Sequence, residues 1–136
     1  MSISLTIDAV TPLPIQENEA FKVTWTLAVG DAMDSRNVIV VLLTDDARLI
    51  LLDPKTQDSP PEISVQVAPG QKTTKTVHAI IQRRKGLLEE QIRETTASPF
   101  FLLGRVRHDT DVLASASGLE VQLMGLPRRA QVRIFT

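Results

Sequence analysis

Chemistry in this chain would have to start from very few side chains. There are two histidines, His78 and His108, and no cysteine or tyrosine. His108 stands beside Asp109, and a carboxylate next to an imidazole can orient it for base catalysis. Ser115 and Ser117 are the nearest candidate nucleophiles, yet no Gly-x-Ser-x-Gly elbow surrounds either. Adjacent residues of a strand also point to opposite faces, which separates His108 from Asp109. The expectation is a strand-end histidine and no catalytic residue. The competing enzyme reading, a hydrolase with an unfamiliar site, requires ester turnover that His108→Ala abolishes.

Asp31, Asp34, Asp109 and Asp111 form a second constellation. If the loops that carry them open at one end of the fold, their carboxylates could ligate Ca²⁺, which takes six to eight oxygens at about 2.3–2.6 Å. The plainer reading is that aspartate is a favoured turn residue. Asp45 and Asp46 are expected at the opposite end. Apart from Ca²⁺ no cofactor is expected, and the lack of cysteine excludes disulfides, thiol catalysis and thiolate metal sites.

The basic runs are Arg83-Arg84-Lys85 and Arg128-Arg129. Nucleic-acid binding usually adds exposed aromatics or a wide basic face. Here the net charge is −1 and there is one tryptophan. Glu89, Glu90 and Glu94 lie close to the first run, so solvated loop charge is expected and nucleic acid is not. The longest apolar runs, Val38–Leu43 and Leu49–Leu52, fall far short of the roughly 20 residues of a membrane span. MSISLTIDAV has neither a basic start nor a continuous apolar stretch, so it does not read as a signal peptide. On that ground the expected location is cytoplasmic.

The elements that must position these residues are strands. Phe21, Val23, Trp25, Leu27 and Val29 fall on one side with Lys22, Thr24 and Thr26 on the other, the pattern of a half-buried strand with Trp25 at its centre. Ile3, Leu5 and Ile7 set an earlier strand over about 2–10, ended by Thr11-Pro12-Leu13-Pro14. Val38–Thr44 is apolar on both faces and reads as a central strand. Asp45-Asp46 is expected to turn it back into a hairpin with Arg48–Leu52. Ile63, Val65 and Val67 alternate up to the turn Pro69-Gly70, and Lys72–Ile81 follows. Phe100–His108, Leu119–Leu123 and Gln131–Ile134 complete the set. Phe100 and Phe101 point to opposite faces, so one of them needs a cover. The period changes only in 83–99, where Leu88 and Ile92 are four apart and Glu89 precedes Arg93 by four; a short helix is expected near 87–94. One domain of 1–136 follows, an all-β sandwich of two antiparallel sheets with eight to nine strands. A closed barrel is the alternative.

At Ile63–Lys72, ISVQVAPGQK, followed by Thr73, Thr74 and Thr76, the chain resembles bacterial immunoglobulin-like domains of the adhesion-related (CARDB) type. The Trp25 strand, the double-faced Val38 strand and the late FFLLGRV suit the same order, over about 5–123. The resemblance implies an immunoglobulin-like β-sandwich and a role in adhesion. Where such domains carry an Asn-x-Gly turn, this chain has GDAMD.

The functional expectation is a non-catalytic protein–protein interaction or assembly module. A Ca²⁺-dependent binding domain and a structural spacer are the alternatives. The partner is expected to be protein, and a second copy in particular. Val132, Ile134 and Phe135 lie in a terminal strand-like stretch beyond the expected sandwich. An extra strand leaves backbone N–H and C=O groups to be paired, and a neighbouring chain's sheet edge can pair them.

Overall fold

The computed structural model describes residues 3–31, 35–57, 60–97, 99–116 and 119–123. Among these residues nine strands and one helix follow in order: β1 (Ile3–Thr11), β2 (Phe21–Val29), β3 (Arg36–Thr44), β4 (Leu49–Leu52), β5 (Glu62–Val67), β6 (Lys72–Arg83), α1 (Glu89–Ala97), β7 (Phe100–His108), β8 (Asp111–Ala116) and β9 (Glu120–Val121). The strands form two antiparallel sheets, one ordered β1-β2-β6-β4 and the other β5-β3-β7-β8, with β9 on β7. The architecture is an all-β sandwich.

Alternation decides which side chains meet between the sheets. Phe21, Val23, Trp25, Leu27 and Val29 are all buried on one face of β2. They pack with Val38, Val40 and Leu42 of β3 and with Phe100, Leu102 and Val106 of β7 in one core. β1 keeps Ile7 and Val10 both inside only because a bulge between Ile7 and Ala9 shifts the register by one residue. Gly104 of β7 leaves room for a side chain of the other sheet: a Cβ there would sit 2.6 Å from Leu5 Cδ2 of β1. Gly70 adopts φ +72° in the turn between β5 and β6, the left-handed region that the Pro-Gly pair anticipates.

One expectation fails. β4 is not the hairpin partner of β3; it pairs with β6 in the opposite sheet, Leu51 opposite Ile81 and Leu52 opposite Ile80. Both edges of β3 are occupied, by β5 and β7, so the chain must cross to the other sheet. The turn at Asp46 serves that crossing. Its carboxylate accepts from Arg48 backbone N (2.9 Å), Arg48 Nε (2.9 Å) and Arg48 Nη2 (2.8 Å).

The helix starts later than the spacing suggests, at Glu89, with Leu88 as its cap residue. Gln91 Oε1 accepts from Leu88 N at 2.8 Å, half of a capping box. Leu88 itself is 69% exposed. The helix is tied down by polar contacts at its far end. Arg83 is nearly buried; its Nε donates to Thr95 Oγ1 (2.8 Å), its Nη2 to Thr96 Oγ1 (2.7 Å), and its Nη1 to Glu17 Oε1. Arg83 N also donates to Glu17 Oε2 at 2.8 Å. Among the described residues no helix is long and apolar enough to cross a membrane.

Candidate functional site

Register places the ends of the sandwich. Val29, Arg36, Val67 and His108 share one pole, and Thr44 and Phe100 lie at the other. Asp31, Asp109 and Asp111 therefore stand at the first pole, and Asp45 and Asp46 at the second. All three of the first set are exposed, Asp109 at 86% of its side chain. Among the described residues no group of three or more His, Asp or Glu comes close enough to hold a metal ion. Asp34 lies outside the described residues.

His108 Nδ1 is 3.9 Å from Asp109 Oδ2, too long for a hydrogen bond, and both side chains face solvent. Ser115 pairs with Arg105, three register steps (about 10 Å) from His108. Ser117 lies outside the described residues. Of the first basic run, Arg83 is held by Glu17 and Arg84 Nε donates to Ala47 O at 2.6 Å. Arg128 and Arg129 are not among the described residues, and neither are Val132, Ile134 and Phe135.

The arrangement best suited to recognition lies elsewhere, along one open side of the sandwich. β6 has twelve residues, but β4 pairs only with Ile80–Arg83. Among the described residues no strand pairs with that edge of β6 between Lys72 and Ala79. The opposite sheet ends on this side at β5, whose outer edge is likewise unpaired among the described residues. Between these edges lies a cavity of about 380 Å³. Trp25, Val40, Leu42, Ile63 and Val77 give it an apolar floor and walls, and Asp53, Lys55, Glu62 and His78 stand at its lining.

Its origin is visible in one strand pair. Trp25 of β2 faces Lys75 of β6, and directly opposed residues share a face. Trp25 is 1% exposed, whereas Lys75 is open to solvent. The opposing sheet covers β2 but leaves Lys75 uncovered, while Ala79 and Ile81 further along β6 are buried in the core. The interrupted alternation of KTTKTVHAI, with a lysine at an inward position, is the signal by which this opening is legible in the sequence.

A second apolar surface lies on the outer face. Phe100 is buried in the core while Phe101 remains 40% exposed. Its backbone N donates to Asp45 Oδ1 at 2.9 Å.

No protein-family model matches the chain, and no curated protein matches it. Solved structures resemble it in part. An alkylpurine DNA glycosylase of Pseudomonas fluorescens, bound to DNA containing an abasic site analog, aligns with TM-score 0.48 and 14% identity over 90% of this chain and 30% of its own. A β-glucosidase of Listeria innocua in complex with gluconolactone gives TM-score 0.42 and 17% identity over 91% of this chain and 16% of its own. A β-glucosidase of Kluyveromyces marxianus in complex with glucose gives 0.39 and 15% over 91% and 14%. The chain thus spans at most 30% of the length of these three proteins.

Proposed function

We propose that this chain is a non-catalytic protein–protein interaction and assembly module, an immunoglobulin-like sandwich that joins a second copy through residues 130–136. The observation that carries this reading is the open side of the sandwich, where two unpaired strand edges flank an apolar cavity. Unpaired edges offer main-chain hydrogen bonds, and a cavity beside them offers a pocket for alternate side chains, the two ingredients of recognition by strand addition. The terminal stretch Gln131–Thr136 has a complementary pattern, with Val132 and Ile134 alternating with Gln131 and Arg133. Deleting Ala130–Thr136 and measuring mass by light scattering tests the reading. The full chain runs as a dimer and the truncated chain as a monomer; an unchanged mass removes the C-terminal segment from the interface.

One observation favours the Ca²⁺-dependent alternative: Asp31, Asp109 and Asp111 share a pole of the sandwich. A ligand that binds only the folded state must raise its melting temperature. A Tm unmoved by millimolar Ca²⁺ sets this alternative aside.

A further inference from the structure

Two carboxylates and two bases line the cavity of about 380 Å³, but alternation turns half of them away from it. Glu62 is opposite Val41, which lies between the core residues Val40 and Leu42 and so faces outward. There the Glu62 carboxylate contacts Arg107 at 3.5 Å. His78 is opposite Lys22, which lies between the core residues Phe21 and Val23, so both belong to the outer face of their sheet. Asp53 is engaged by its own loop, its Oδ1 accepting from Lys55 N at 2.8 Å.

Two cations remain. Lys55 lines the cavity, is exposed, and makes no ion pair among the described residues. Lys75, equally exposed and without an ion pair among those residues, takes the inward position opposite Trp25. It stands two residues, about 7 Å, along the same face from Val77 of the cavity wall. The charge left at the opening is therefore positive, over an apolar floor of Trp25, Val40 and Leu42. The unpaired edge of β6 adds backbone N–H donors beside it.

We propose that this cavity binds a small amphipathic carboxylic acid, its apolar body inside and its carboxylate met by Lys55 and Lys75. Volume sets the size of the body. A dry cavity of about 150 Å³ accepts benzene, and small-molecule pockets begin near about 300 Å³. At about 380 Å³ this one suits two fused rings or an acyl chain of like bulk. Burial of the body supplies affinity, and the ammonium groups at the rim decide which end enters. This goes beyond the assembly reading and does not rest on it. That reading places partner side chains in the same opening, so the acid and a second copy compete.

Isothermal titration with naphthoate tests the proposal, with naphthamide as the same shape without the charge and naphthylmethylammonium as the opposite charge. Naphthoate binds about tenfold more tightly than naphthamide, the size of one charge-assisted hydrogen bond. Lys55→Glu with Lys75→Glu, both at exposed positions, removes that preference and leaves naphthamide binding unchanged. Val77→Phe, which fills the cavity from a half-buried position of its wall, abolishes binding of both. No heat from millimolar naphthoate overturns the proposal. So does equal affinity for naphthamide, tighter binding of the ammonium, or a lysine pair variant that binds naphthoate as the parent does. Light scattering on the same samples separates this site from assembly. A dimer that binds no naphthoate removes the site and leaves assembly standing. A monomer that binds it keeps the site and removes assembly. A dimer that keeps its mass with naphthoate bound also keeps the site, and takes the partner's side chains out of it.

Discussion

Trp25 illustrates how a single side chain can serve both the core and the candidate site. It is 1% exposed, so the indole belongs to the core, and it also lines the cavity. Trp25→Ala is expected to cost about 3–5 kcal/mol. Chemical denaturation checks this, and the native emission should be blue-shifted. Asp46 gives a pH signature. The side-chain hydrogen bonds from Arg48 hold its carboxyl below the usual carboxylate range, against the opposing effect of burial. Its folded pKa then lies below the unfolded value of about 3.9. The folded state binds fewer protons there, so the stabilisation is fully present above that value and is lost as pH falls through the folded pKa. Asp46→Asn should lower Tm at neutral pH, and the gap to the parent should close on acidification below about pH 4. A gap that is constant with pH would assign the loss to geometry rather than charge.

At the scale of elements, the close contact of β1 with β7 depends on Gly104. A methyl group there forces Leu5, a core side chain, to move, at about 1–3 kcal/mol. Thermal melting of Gly104→Ala measures this, and an unchanged Tm would mean that Leu5 rotates freely into space. Most strands were legible because period-two alternation records one-sided burial directly: β2 and β5 match their sequence patterns residue by residue. The pairing of β4 was not legible. Leu-Ile-Leu-Leu is apolar enough for either sheet, and proximity in sequence favoured a hairpin that the already occupied edges of β3 do not admit. The bulge in β1 was hidden for a similar reason, since a register shift leaves no composition of its own. The candidate site was legible only as an anomaly, because a cavity is a property of where strands end. Lys75 at an inward position marks it, but the shortness of β4 creates it.

Across the described residues the two sheets close around one core yet leave one side open, the side that the proposed function gives to a second copy. The exposed Phe101 on the outer face is separate from it and plays no part in the proposed contact. Because strand addition must satisfy backbone groups in trans, its most direct consequence is stoichiometry. Sedimentation equilibrium of the full chain at micromolar concentration measures that without mutation or label. A dimer through the open side has a mass of twice 15.0 kDa, dissociating only on dilution; a species of 15.0 kDa throughout that range contradicts the proposed assembly.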